Sequence, residues 1–221
     1  MSRRTLAATG LLMTGLALAA CSSSAPPPGT TPSVSTPSGT ATPTATDAAV
    51  PAPTPAWTRS EFDAALSAEL IEMLARDQAD RLAGDGDGTD EERTERLREI
   101  IVAHGWPTYS LVGEEAEDAA WAIAQHADHD PDFQREAREW LQIAVENDDA
   151  SPGNLAYLTD RIAVGAGEPQ TYGTQIGCGE DGPAPSTPIA DEAAVDERRA
   201  EVGLPPLADY YAELEAVCAA E

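Results

Sequence analysis

The stretch from Ser22 to Ala56 limits what this chain can fold into more than any other feature. It consists almost wholly of Pro, Ser, Thr and Ala, with Asp47 its only charged residue. Such a segment buries too little apolar surface to offset the entropy lost on ordering. Its prolines favour extended backbone at about 3.1 Å per residue, so it reads as a tether reaching up to ~100 Å. Folding is left to the residues from Trp57 onward, which are enough for one hydrophobic core.

Ahead of the tether, Met1 to Ala20 has the layout of an export signal: Arg3 and Arg4, an apolar run from Leu6 to Leu18, then small residues. The run falls short of the roughly 20 apolar residues that span a bilayer. Leu18-Ala19-Ala20-Cys21, followed by Ser22, resembles a bacterial lipoprotein lipobox, in which the cysteine is acylated and becomes the mature N-terminus. The alternative is an ordinary cleaved signal with Cys21 incidental. The expected organisation is a lipoprotein signal peptide over 1–20, a lipid-anchored tether over 21–56 and a single domain over 57–221. The membrane is then a partner through Cys21, and the domain sits outside the cell. One acyl chain holds weakly and two or more hold stably.

Without residues 1–20, 11 arginines face 39 acids, and no lysine occurs anywhere. A phosphate backbone needs a basic face, so nucleic acid is not an expected partner. Cys178 and Cys218 form an even pair in an exported chain, which points to a disulfide between a loop region and the C-terminal helix. Two free thiols are the alternative. A metal site on two cysteines so far apart, without CxxC spacing, lacks support.

From Trp57 the period is helical. Ser60 and Asp63 have capping-box spacing, and Phe62, Leu66, Leu70, Met73 and Leu74 recur at helical spacing to about Leu82. Gly84 to Gly88 breaks that helix. Thr89 and Glu92 cap the next, which ends at Gly105. Trp106 to Gly113 reads as a turn segment. Glu114, Glu115 and Glu117 crowd a helix N-terminus, where the macrodipole favours acids. Asp130-Pro131 and Ser151-Pro152 are two cap-then-proline starts. From Glu168 the pattern shifts: Tyr172 to Cys178 reads as a strand and Thr187 to Ala190 as its return. Helical sequence follows Asp191, and Leu207 to Val217 closes the chain. The fold class is all-α: a predominantly helical orthogonal bundle of six to seven helices, with at most one small β-hairpin near the C-terminal third.

Three segments carry candidate chemistry. In the first, Gln125 and His126 precede Asp128, His129 and Asp130. If the helix reaches His129, the two imidazoles share a face, which suits either a first-row metal or general acid–base work. Capping already accounts for Asp130, and HxxH lacks the glutamate of an HExxH site. The second is Asp160-Arg161, either a buried pair that orders the interior or a clamp for an anionic group. The third is Gln170, Tyr172, Gly173, Thr174 and Gln175, whose polar groups must bond to one another or to a ligand if buried. Asp85, Asp87 and Asp90 fail the EF-hand pattern, because Asp90 and Arg96 stand where it needs Gly and Glu.

HGWPTxSxVG, AWxxAQHADHDPxFQ, LAYLTDRIxV and GxPQxYGTQ, in this order from His104 to Gln175, closely resemble a bacterial family catalogued as a domain of unknown function. It is common in actinobacterial secreted proteins and lipoproteins. The resemblance runs from about Ala65 to Tyr211 and includes PIxD…VDxRRxxVGLxPLxxY, from Pro188 to Tyr210. It places emphasis on Trp106, Pro107, Gly113, Gln125, His126, Asp128, Phe133, Gln134, Asp160, Arg161, Gln170, Tyr172, Gly173, Thr174 and Gln175. The chain departs from the family near Asp90, where Arg93 stands in the Asn position of Asp-x-x-Asn. The resemblance implies no activity.

The expectation for function is an envelope binding or structural module. Its polar groove would be built from Gln125, His126, Asp160, Arg161, Gln170, Tyr172 and Gln175, facing an unknown small-molecule or envelope ligand. The alternative is a hydrolase-like enzyme with catalytic candidates His126, Asp128 and Arg161. No cofactor is expected, and His126 and His129 are the candidate metal ligands.

Overall fold

The computed structural model describes residues 59–83 and 89–219. The signal, Cys21, the tether, and the Asp85 and Asp87 turn lie outside the described residues.

Helix α1 (Ala64–Ala83) starts where Asp63 Oδ1 accepts the backbone N–H groups of Ala65 and Leu66, each at 3.0 Å. The cap is therefore Asp63 and not Ser60. Phe62 stays outside the helix and exposed. Leu66, Leu70 and Met73 form the buried stripe of α1, facing Leu97, Ile100 and Ile101 of α2 (Thr89–His104). The expected turn segment holds one helical turn, α3 (Tyr109–Val112), capped by Thr108. A single turn is too short to show a period in sequence, and it makes the count eight α-helices among the described residues.

Helix α4 (Glu114–Gln125) is the centre of the core. Ala116, Ala119, Ala120, Ile123 and Ala124 are buried on it, and α1, α2, α3, α5 and α6 all pack against it. Small side chains let those neighbours approach closely, as native packing density requires. The two cap-then-proline starts are realised. Asp130 accepts from Phe133 N at 3.0 Å at the start of α5 (Pro131–Glu146). Ser151 accepts from Asn154 N at 3.1 Å at the start of α6 (Pro152–Gly165).

The hairpin is shifted. Strand β1 (Ile176–Gly179) pairs antiparallel with β2 (Gly182–Pro185), so the return strand is not Thr187 to Ala190. That segment instead makes a parallel bridge, Gln170 to Ile189. Tyr172 to Gln175 stays out of the ladder because side chains take its N–H groups: the buried Asp160 carboxylate those of Tyr172 and Thr174, and the Gln170 amide oxygen that of Gln175. A 3-10 turn, α7 (Val195–Glu201) and α8 (Leu207–Cys218) follow, and Cys178 is disulfide-bonded to Cys218. The architecture is all-α with one small two-stranded sheet in the C-terminal part.

Gly173 has φ +64°, and a Cβ there would lie 2.6 Å from Ile189 Cδ1. Gly173→Ala meets both left-handed strain and a clash, so it is expected to destabilise the domain by about 1–3 kcal/mol. A urea denaturation midpoint unchanged by the substitution would contradict this.

Candidate functional site

Asp160 is fully buried on α6 and has no ion pair with Arg161. Its carboxylate accepts the backbone N–H groups of Thr171 (2.6 Å), Tyr172 (3.1 Å) and Thr174 (3.0 Å), and the Thr174 hydroxyl (3.0 Å). The carbonyls of the same turn face two arginines of α7. Arg198 Nε donates to Thr171 O at 2.8 Å, and the fully buried Arg199 donates Nη1 to Tyr172 O at 2.8 Å. Arg199 also lies over the Tyr210 ring, 5.2 Å from its centroid. Gln170 donates Nε2 to Gln175 O and Thr187 O, each at 3.0 Å, and accepts from Gln175 N at 2.7 Å. Asp160 and Gln170 thus direct their side-chain hydrogen bonds to the backbone of the turn and to the Thr174 hydroxyl. Tyr172 contributes its main chain. Its half-buried phenol is pushed to a higher pKa by burial and by the nearby Asp160 charge.

The three expected segments do meet. Gln125 donates Nε2 to Gln175 Oε1 at 3.3 Å, and Arg161 reaches the same oxygen at 3.4 Å. Arg161 Nε donates to Asp128 Oδ1 at 2.8 Å, and Gln134 Nε2 to the same oxygen at 3.2 Å. Arg161 and Asp128 are therefore partners across the α4–α6 seam. Two buried atoms of α4, one turn apart, have no partner there: Trp121 Nε1 and Gln125 Oε1.

His126 points the other way. Helix α4 ends at Gln125, and His126 is its C-cap. His126 and His129 therefore do not share a helical face, and His129 is exposed. The His126 side chain is only 7% exposed, with Nδ1 2.9 Å from Oδ2 of the fully buried Asp77 on α1. Arg81, one turn further along α1, donates Nη2 to Asp77 Oδ1 and to Asp90, each at 3.1 Å. Arg93 donates Nη1 to Asp80 Oδ2 at 2.7 Å and Nη2 to Asp90 Oδ1 at 2.6 Å. Arginine at position 93 thus closes a ring of alternating charge between α1 and α2.

Burial alone would raise the Asp77 pKa. Hydrogen bonding and attraction to His126 and Arg81 outweigh it and hold the carboxyl at about 2. An ionised carboxylate only accepts, so Nδ1 must be the donor. Arg81 Nε lies 3.2 Å from Nδ1 and 3.2 Å from both Asp77 oxygens, and donates to the carboxylate. With the proton on Nδ1, any lone pair of the ring sits on Nε2. No described residue hydrogen-bonds Nε2. Among the described residues, no group of three or more His, Cys, Asp or Glu side chains is placed to hold a metal. Guanidinium groups lie between the acids instead.

Asp77 escaped the sequence reading, although a signal was present. It continues the Leu66, Leu70, Met73 stripe of α1 by one more turn. A carboxylate in the register of core residues must find a buried partner or be neutral. An open groove of about 560 Å³ runs between α1 and α2, lined by residues including Glu69, Met73, Arg76, Asp80, Arg93 and Arg96; His126 is not part of its lining.

Asp160→Asn would turn an amide N–H₂ toward buried N–H donors. Hydrogen bonds to a charged group contribute about 1.5–3 kcal/mol each, and a buried orphan costs about 1–3 kcal/mol. The variant is expected to lose at least ~3 kcal/mol in urea denaturation. Arg161→Gln at the partly exposed seam should lose about 1 kcal/mol. Equal stability of Asp160→Asn and wild type would refute the assignment.

No curated protein and no solved structure matches the chain significantly. The model of a family of unknown function, DUF6624, matches residues 56–220 and so covers the whole helical domain with its Asp77–His126 pair and its Asp160 turn. The chain is a member of the DUF6624 family of unknown function.

Proposed function

We propose that this chain is a lipoprotein held outside the cell at Cys21, and that its domain works as a hydrolase-like enzyme with His126 as general base. The observation that carries the reading is the Nδ1 contact to Asp77 at 2.9 Å, with Nε2 left without a described partner. A carboxylate on Nδ1 fixes the tautomer and stabilises the imidazolium that forms when Nε2 takes a proton. For an ester, Nε2 draws a proton from a water, the water oxygen bonds to the carbonyl carbon, the bond from that carbon to the leaving oxygen breaks, and the imidazolium gives the proton to that oxygen. Arg161 is held by Asp128, and Arg81, beside the ring, by Asp77 and Asp90, so both guanidinium groups orient the acids around the site. Leu18-Ala19-Ala20-Cys21 supports the anchor.

A second reading is a binding module of the envelope, using the seam of Gln125, Arg161 and Gln175. It is favoured by the unpartnered Trp121 Nε1 and Gln125 Oε1, a donor and an acceptor suited to a hydroxyl or amide. A ligand screen returning the same profile for wild type and Gln125→Leu would discard it.

The enzyme reading is tested with an activated ester, p-nitrophenyl acetate. His126→Gln is expected to bring turnover down to the solvent rate, and Asp77→Asn to lower it by about 10²-fold or more. Equal rates for wild type and His126→Gln would discard the reading. For the anchor, Cys21→Ala is expected to move the protein from the membrane fraction to the soluble one. Retention in the membrane fraction would count against lipidation.

A further inference from the structure

Helix α8 is fastened unevenly. Leu207 is its one buried residue among those described. Its polar ties fall in the first turn: Leu207 N donates to Asp196 Oδ1 at 2.7 Å, and the Tyr210 hydroxyl donates to Thr174 O at 3.1 Å. The Tyr210 ring adds its contact with the Arg199 guanidinium and stands edge-on to Tyr157, 6.3 Å between centroids. From Tyr211 to Val217 no side chain makes a hydrogen bond or ion pair among the described residues. Tyr211, Leu214 and Val217 are half-buried, and Glu213 and Glu215 are exposed. The second half of the helix is therefore held to the hairpin by partial apolar contact and by one covalent bond, Cys178–Cys218.

That bond lies where a thiol can reach it. Cys178 is exposed on β1, and Cys218 is half-buried at the end of α8. The charges around it do not hold the two sides together. Glu180 and Asp181 follow Cys178 at the hairpin turn, Glu213 and Glu215 precede Cys218, and no described arginine pairs with any of the four. Beyond Arg161 the only bases in the chain are Arg198 and Arg199, and both give their guanidinium groups to backbone carbonyls. Acids on the two sides of the bond repel each other, most strongly at low salt. The disulfide holds them against that repulsion.

We propose that the Cys178–Cys218 disulfide is a redox-operated clasp on the second half of α8. The co-reactant is a dithiol in the surrounding medium. Its thiolate attacks the Cys178 sulfur, the Cys178–Cys218 bond breaks, and Cys218 leaves as a thiolate that takes a proton from solvent. The second thiol of the reagent then displaces the Cys178 sulfur from the mixed disulfide. The reagent departs as a disulfide, and two electrons and two protons remain on the protein as two thiols. Helix α8 stays hinged at Leu207 and Tyr210 while its second half leaves the hairpin. Strand β1 begins immediately after Gln175, so the clasp bears on the residue that Gln125 and Arg161 both meet. The device depends on neither reading of the function.

Treating the full chain with dithiothreitol, without denaturant, tests it. Peptide mapping after alkylation should find Cys178 and Cys218 modified. Hydrogen exchange of the Tyr211 to Val217 amides should then speed up by about tenfold or more, with the amides of α4 and α5 unchanged. The double variant Cys178→Ser, Cys218→Ser should exchange at the faster rate with or without the reagent. A bond that stays closed in the absence of denaturant, or α8 amides as slow after reduction as before, overturns the proposal. So does loosening that spreads to α4 and α5, which would make the bond a staple of the whole domain and not a clasp on one helix.

Discussion

The Asp160 carboxylate is the constraint on which the C-terminal third depends. Asp160 takes the N–H side of the 171–174 turn, while Arg198 and Arg199 take its carbonyl side. The turn is in effect a peptide-bridged ion pair between α6 and α7. Hydrogen bonds to charged groups are individually stronger than neutral ones, and here several converge on one short loop. They also explain the position of the hairpin. Backbone held by a carboxylate cannot pair in a ladder, so β1 begins only at Ile176. Gly173 permits the tight backbone, and the Cys178–Cys218 bond ties the far end of β1 to α8.

The same device recurs with different solutions. Asp77 meets its burial by pairing with His126 and Arg81. Asp149 accepts Ser110 N at 2.9 Å and the Ser110 hydroxyl at 2.6 Å, fixing α3 against the end of α5. Glu117 has only neutral donors and is held neutral over much of the pH range. Four buried acids thus set four junctions between elements. A chain with no lysine and an excess of acids has used carboxylates as its internal fasteners. Their partners differ: Asp160 is taken up by turn N–H groups and the Thr174 hydroxyl, Asp149 by Ser110 and Arg59, whereas Asp77 meets an imidazole whose Nε2 has no partner among the described residues.

Much of the helical layout was legible in the sequence, and the candidate site was legible only in part. Capping and helical period are local, so Asp130-Pro131, Ser151-Pro152 and the Leu66, Leu70, Met73 stripe translated directly into α5, α6 and the packed face of α1. Motif reading brought forward Gln125, His126, Asp128, Arg161 and Gln175, and the fold brings four of them to one seam. It missed Asp77 and Arg81, because a carboxylate and an arginine on an amphipathic helix look the same whether they face water or a distant imidazole. It also overvalued His129, since the helix stops before it.

The sequence by itself determined the class of the fold, the starts of its helices and the residues from which a site could be drawn, because caps, prolines and apolar spacing act over a few residues. Only the tertiary structure decided who partners whom: that Asp160 binds backbone and not Arg161, that Arg161 answers Asp128, and that His126 turns to Asp77, 49 positions away in the chain. Those choices depend on how α1, α4 and α6 cross in the core. A buried charge takes whichever partner that packing brings within about 3 Å, and nothing in its own neighbourhood of sequence specifies which.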